Sequence, residues 1–167
     1  NWCIGRMDCF AGCGHCPLPY AAQQYPNAFE HPSSHILTVS PERTFWEKAT
    51  ILHKESFRTN GKPPARYSRH YYDLYCMGNS PTKDKAFSDT DLLMKVAGFK
   101  DRFYPSRNAH YELAKLGTLR LMSPDNCLDI LADDYAHMKN MIFGTYPSFE
   151  DILSYLDKLQ SEINSLQ

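Results

Sequence analysis

The sequence of 167 residues predicts a mostly α-helical fold, in which a helical bundle over residues 39–167 follows a front segment, 1–38, made of loop and one or two short strands. Three observations support this prediction. Apolar residues recur at helical spacing from residue 41 onward. Ser and Pro stand where the helices would begin, and Gly and Pro follow where they would end. The front segment is rich in Gly, Pro and Cys and has no sustained period.

The front segment contributes little regular structure. Short apolar runs predict strands at residues 2–6 and 36–39, and a brief helix is expected at Tyr20–Gln24 before a Tyr-Pro pair. The sequence from 31 to 34 reads as a connector because His-Pro-Ser-Ser carries no apolar period.

The bundle contains the stronger helix signals. Ser40, Pro41 and Glu42 supply an N-cap, a first-position proline and a first-turn acid. Ser88 or Thr90 can cap the third helix. Ser148 followed by an acid three residues later resembles a capping box. The predicted helices cover 41–57, 65–77, a stretch from the Ser88 or Thr90 cap to 104, 123–144 and 148–166. In the third of these helices, the apolar stripe that would be buried consists of Leu92, Leu93, Val96 and Phe99. A short extended segment is expected at 119–122.

The composition excludes several classes of protein. With 43% hydrophobic and 22% charged residues, the chain is neither collagen-like, mucin-like nor broadly disordered. It contains no apolar run of the ~18 residues that a membrane span requires, and its opening lacks the apolar core of a signal peptide. We therefore expect a cytoplasmic protein without a membrane partner.

The net charge of −1 conceals a gradient along the chain. Residues 42–69 hold seven Lys and Arg against three Glu, whereas residues 125–167 hold eight acids against two Lys. The basic stretch is compatible with a surface that meets phosphates, and equally with a solvated helical face. The acidic end would repel a nucleic-acid backbone, so any nucleic acid should bind the middle of the chain.

Cysteines cluster at the front of the sequence. Cys9, Cys13 and Cys16 form a C-x3-C-x2-C spacing, with His15 inside it and Cys3 nearby. These thiolates are weak candidates for a zinc site with Cys3 or His15 as the fourth ligand. A cubane iron–sulfur cluster fits less well, because mostly helical sequence follows the motif instead of a long parallel barrel. Free thiols in an intracellular chain are the plainer alternative.

Two sequence blocks point to a known family. Residues 40–53 read SPERTFWEKATILH and residues 69–75 read RHYYDLY. Both resemble signature blocks of the AbiEii/AbiGii-type nucleotidyltransferase toxins, and the resemblance continues through 134–144 and 147–153. It covers residues 36–167 well and the first 35 loosely, so the chain resembles the C-terminal portion of the family.

The resemblance implies a function and a site. Family members join an α+β nucleotidyltransferase core to a helical bundle, and they transfer a nucleoside monophosphate from a nucleoside triphosphate, with Mg²⁺, to an acceptor such as tRNA. They act in abortive infection and toxin–antitoxin systems beside a cognate antitoxin. Lys48 and Asp73 match the family's later catalytic lysine and aspartate. Lys48 would also bind the nucleotide, with Arg66, Arg69 and His70 as further donors to phosphate or RNA.

Plainer roles exist for the same side chains. An ammonium group near a triphosphate stabilises the charge that moves onto pyrophosphate, which suits Lys48. Lys48 could instead flank the apolar stripe with its charge in solvent. Asp73 could hold Lys48 in place, or it could only pair with Arg69 four residues earlier, a contact worth about 0.3–0.5 kcal/mol.

The sequence departs from the family at its metal site. The family's early Gly-Ser turn and Asp-x-Asp pair are missing, and Asp89-Thr90-Asp91 has the letters but follows the lysine and aspartate blocks and opens a helix. Cys3 stands where an acid would be expected before Gly5-Arg6. We therefore expect the C-terminal half of such an enzyme, inactive without the Asp-x-Asp half. The alternatives are a non-catalytic helical module that binds an antitoxin or RNA, and a metal-binding regulatory protein.

Overall fold

The computed structural model describes residues 20–30, 38–142 and 144–166. The chain divides into two compact units, 1–40 and 41–167. In the first unit, helix α1 covers Tyr20–Gln24, as predicted, and a 3₁₀ turn follows at Pro26–Ala28. The strand predicted at 2–6 lies outside the described residues. The strand predicted at 36–39 is described only at its end, where residues 38 and 39 take no regular structure.

The second unit is helical. Among the described residues no strand is present, which confirms the mostly α fold class, and no helix is both long and apolar enough to cross a membrane. The helices are α2 Pro41–Ser56, α3 Ser68–Gly78, α4 Thr82–Ser88, α5 Asp91–Phe103, α6 Asp125–Ala136 and α7 Phe149–Ser165.

Helix α2 is the centre of the bundle. It packs against α3, α4 and α5, and α7 packs on α3. Phe45, Trp46, Ala49 and Leu52 of α2 are fully buried, as the predicted stripe requires. Helices α3 and α7 approach closely at Gly78, where a Cβ atom would lie 2.6 Å from the Tyr155 hydroxyl oxygen. This glycine therefore sets the distance between the two helices.

Helix α7 begins as its sequence predicts. The Ser148 hydroxyl accepts a hydrogen bond from the Asp151 backbone N–H at 3.1 Å, which satisfies one of the unpaired donors of the first turn. The apolar stripe lies against the core at Phe149, Ile152, Leu156, Leu159 and Ile163.

Three details differ from the predictions. Helix α4 was not predicted, and Ser88, proposed as a cap, is its last residue. The helix predicted to reach Gly144 ends at Ala136, where the Tyr135 carbonyl accepts from the Met138 backbone N–H at 2.9 Å in a tighter turn, and a 3₁₀ turn follows at Lys139–Met141. Phe99, predicted to be buried, is exposed.

The segment from 119 to 122 alternates between buried and exposed side chains, in agreement with the predicted extended segment. Among the described residues, side chains satisfy the backbone N–H groups of residues 119–121. Asn164 accepts from the Leu119 N–H at 3.0 Å and donates to the Leu119 carbonyl at 2.9 Å. Gln160 accepts from the Leu121 N–H at 2.6 Å. Two polar residues of α7 therefore hold this segment in the core.

Candidate functional site

Lys48 of α2 meets two side chains of α3. Its Nζ lies 2.6 Å from Asp73 Oδ2 and 3.2 Å from His70 Nδ1. His70 and Asp73 are three residues apart on α3, so they share one face of that helix. The packing of α2 on α3 therefore brings three of the predicted site residues together.

The ion pair between Lys48 and Asp73 is partly shielded from water. The two side chains are 22% and 26% exposed. Asp73 pairs with Lys48 across the helix interface, so the plainer interpretation that it pairs only with Arg69 is wrong. Shielding and the second contact to His70 fix the ammonium group more firmly than an exposed surface pair would.

His70 is neutral in this setting. Burial, and after it the nearby charges of Lys48, Arg69 and Lys100, together lower its pKa from 6.5 to about 3. A neutral ring can accept at Nδ1 from the Lys48 ammonium and carry its proton on the other nitrogen. Two of the three ammonium N–H groups are directed to Asp73 and His70. The third can donate to a bound phosphate oxygen.

A second lysine, Lys100 of α5, lies beside this cluster. Its Nζ donates to the Glu47 carbonyl at 2.7 Å and to Thr50 Oγ1 at 2.6 Å. Burial lowers the pKa of Lys100 to about 8, with Lys48 adding to the effect and Glu47 opposing it. Lys100 was not predicted from the sequence as a site residue. The signal that could have identified Lys100 is its helical spacing from the buried residues at 93 and 96, which places it on the inner face of α5.

Asp134 of α6 caps the start of α3. Its carboxylate accepts from the backbone N–H groups of Arg66 at 2.7 Å and Ser68 at 3.0 Å, and from the Ser68 hydroxyl. Burial alone would raise the pKa of Asp134, but these donors outweigh it and the pKa is lowered. The residue thus anchors the helix that carries His70 and Asp73. This role of Asp134 was not predicted from the sequence.

A family model decides the identity of the chain. The model of the nucleotidyl transferase AbiEii toxin, type IV toxin–antitoxin system, matches residues 6–155. The chain belongs to this family. The match includes Lys48, Asp73 and Asp134. It confirms the family resemblance stated from the two blocks. No curated protein and no solved structure matched the chain.

The remaining predicted binding residues of this AbiEii-family chain, Arg66 and Arg69, lie at the start of α3 and in the turn before it. Arg69 is exposed on α3, and its charge contributes to the lowered pKa of His70. Arg66 is exposed in the turn before α3, with a left-handed backbone at φ 65° that presents its N–H to Asp134. Their roles as phosphate or RNA donors stay predictions. Cys9, Cys13 and Cys16 lie outside the described residues, and so does the metal site proposed for them.

The described residues do not fit a Mg²⁺ site. Among them, no three His, Cys, Asp or Glu side chains are grouped so as to hold a metal ion. Mg²⁺ prefers carboxylate oxygens, yet the carboxylate of Asp73 is engaged by Lys48. Asp89 and Asp91 are exposed at the junction of α4 and α5. This part of the AbiEii-family chain instead holds a positioned positive charge, the ammonium group of Lys48.

Proposed function

We propose that this AbiEii-family chain supplies the lysine side of a nucleotide site, in a transferase that moves a nucleoside monophosphate from a nucleoside triphosphate to tRNA in the cytoplasm. The observation that supports this most is the ammonium group of Lys48, held 2.6 Å from Asp73 and 3.2 Å from a neutral His70. Family membership supports the reaction class.

The reaction needs charge stabilisation more than covalent help. An acceptor hydroxyl oxygen bonds to the α-phosphorus, the bond from that phosphorus to the β-bridging oxygen breaks, and the hydroxyl proton passes to solvent. Negative charge accumulates on the departing pyrophosphate. The third N–H of Lys48 stabilises that charge, while Asp73 and His70 hold the ammonium group in position.

Mg²⁺ is expected for complete family members, but no step is assigned to it because the described residues lack the carboxylates. We propose that the chain depends on Asp-x-Asp carboxylates of the family's nucleotidyltransferase core, which its sequence does not contain. When bound there, Mg²⁺ would neutralise phosphate charge.

The test is transfer of label from α-³²P nucleoside triphosphates to tRNA with Mg²⁺. The full chain is assayed alone and with an added Asp-x-Asp half from a family member. Transfer is expected in the mixture only. Lys48→Ala and Asp73→Ala should lower its rate roughly 10²–10³-fold, by analogy with the loss of one charge-stabilising donor. Lys158→Ala is the matched control, because Lys158 is exposed on α7 and is not part of the Lys48 cluster.

A conservative variant separates positioning from charge. Asp73→Asn keeps an oxygen that can accept from Lys48, so it should retain more transfer than Asp73→Ala. Transfer at the wild-type rate by both Lys48→Ala and Asp73→Ala would remove these residues from the site. Transfer by the unaccompanied chain would contradict its dependence on the other half.

A second candidate is a non-catalytic module that binds an antitoxin or RNA. The observation that favours it is the missing cluster of acidic side chains among the described residues. In that case the mixture transfers no label, and the isolated chain still captures a specific antitoxin or RNA without affinity for nucleoside triphosphates.

A further inference from the structure

Three exposed aromatic side chains form a patch at the end of α5. Phe99, Phe103 and Tyr104, here called the aromatic patch, are 41%, 58% and 67% exposed. The ring centre of Phe99 lies 4.7 Å from that of Phe103 and 6.3 Å from that of Tyr104. The rings therefore present one shared surface, although their burial in the core would have been favourable.

Positive charge borders the aromatic patch. The guanidinium carbon of Arg43 lies 5.4 Å from the centre of Phe99, and that of Arg102 lies 5.6 Å from the centre of Phe103. The stretch from 95 to 107 holds four Lys and Arg against one Asp. Exposed ring faces beside cations suit a ligand that has both flat bases and phosphates.

The aromatic patch is connected to the Lys48 cluster through α2. Arg43 pairs with Glu47 at 3.0 Å, and Glu47 precedes Lys48 in the chain. Arg43 and Lys48 are about 7.5 Å apart along the axis of α2, from the helical rise of ~1.5 Å per residue. Lys100 of α5 donates to the Glu47 carbonyl and fixes α5 against α2 at this level. Because five residues of helix also turn the chain by about 140°, Arg43 and Lys48 project in different directions, and the patch is linked to the Lys48 cluster through the contact of α5 with α2.

We propose that the aromatic patch stacks the unpaired bases of single-stranded RNA and so holds the acceptor strand beside Lys48. This inference rests on the proposed function for the identity of the acceptor. Stacking on Phe99, Phe103 and Tyr104 tolerates any base, because every base has a flat face. Arg43 and Arg102 neutralise the phosphates, which makes binding weaken as salt rises.

The test is direct binding of the full chain to a fluorescein-labelled single-stranded 12-nucleotide RNA, followed by anisotropy. Phe103→Ala should weaken binding about tenfold, and the triple alanine variant of the patch more, by the loss of stacked bases. Phe103→Trp should retain the affinity, and Phe103→Leu should not, because leucine is apolar but has no ring face. Met94→Ala is the matched control, an exposed apolar residue of the same helix.

Several results would overturn the proposal. They are no RNA binding by the wild type, equal affinity in the triple alanine variant, or equal affinity in Phe103→Leu. Patch variants that keep RNA affinity but convert a dimer into a monomer would assign the patch to a second copy of the chain, and would also overturn it. Circular dichroism checks that each variant folds.

The two proposals can fail separately. Lys48→Ala should weaken RNA binding less than Phe103→Ala does, because Lys48 is not part of the patch and offers no ring face. RNA binding that depends on the patch, with no label transfer under any condition, refutes the proposed function alone. The stacking role alone is refuted if transfer requires Lys48 but the triple alanine variant has the wild-type transfer rate and the wild-type KM for RNA.

Discussion

The neutral state of His70 predicts a specific loss of stability in acid. Its pKa falls from 6.5 to about 3 on folding. Between these two pH values the unfolded chain binds a proton at His70 that the folded chain does not. The contribution of His70 to the free energy of unfolding is therefore fully present above pH 6.5 and declines as the pH falls. From pH 7 to pH 5 this group alone should cost about 2 kcal/mol, and about 5 kcal/mol once the pH is below 3.

The measurement is urea unfolding at pH 7 and pH 5, followed by circular dichroism at 222 nm. The perturbation is His70→Asn, which keeps an acceptor for the Lys48 ammonium but cannot take a proton. The wild type should lose about 2 kcal/mol more than this variant between the two pH values. His53 also has a lowered pKa, chiefly from burial, but it is present in both proteins and cancels in the comparison.

The control is His137→Asn, since His137 is exposed at the end of α6. It should show the wild-type loss of stability. Equal losses in the wild type and His70→Asn would refute the reasoning, and so would a ring titration of His70 by NMR with a midpoint near 6.5. Either result would mean that the Lys48 ammonium is not held by a neutral imidazole.

Two further predictions concern the helices that carry the site. Gly78→Ala should destabilise the fold by about 1 kcal/mol or more in urea unfolding, because the new Cβ would meet the Tyr155 ring. The control Gly98→Ala, with nothing within 4 Å of its Cβ, should stabilise the fold by up to about 1 kcal/mol. A change of the same sign in both variants would contradict the close packing of α3 on α7. Asp134→Ala should lower the free energy of unfolding by about 1–2 kcal/mol, because it removes the cap of α3. The control is Asp133→Ala, which should change stability little because Asp133 is exposed. Equal effects of the two variants would refute the capping role.

Helix positions were predictable wherever the signal is local. Pro41 at the start of α2 and Ser148 before α7 fix their helix boundaries through contacts within one turn. The contact between Lys48 and Asp73 was among the roles predicted for Asp73, because the two residues lie in the family-like sequence blocks 40–53 and 69–75 on consecutive helices. Helix α4 was not predicted, because Ser80-Pro81 after α3 has the composition of a helix end as well as of a helix start. The Ser80 hydroxyl in fact accepts from the Thr82 N–H and helps to begin the next helix.

The unpredicted parts of the site depend on which elements become neighbours. Lys100 binds a carbonyl on α2, and Asp134 binds backbone N–H groups 66 and 68 residues earlier. Helical periodicity tells which face a residue occupies, but not which helix packs on that face. Phe99 shows the same limit, since its spacing continues the stripe of α5 while its ring lies outside the core.

The cap that Asp134 places on α3 has a consequence for the order in which the molecule assembles. Lys48 and Asp73 are separated by 25 residues and can meet as soon as α2 and α3 have been synthesised. The carboxylate that fixes the first turn of α3 arrives only with α6, and Gln160 and Asn164 emerge later still, near the end of α7. Until α6 has been synthesised, a pair of Lys48 with Asp73 would therefore lie on a helix whose first turn is not anchored. It becomes a positioned group only after the far part of the chain has folded back.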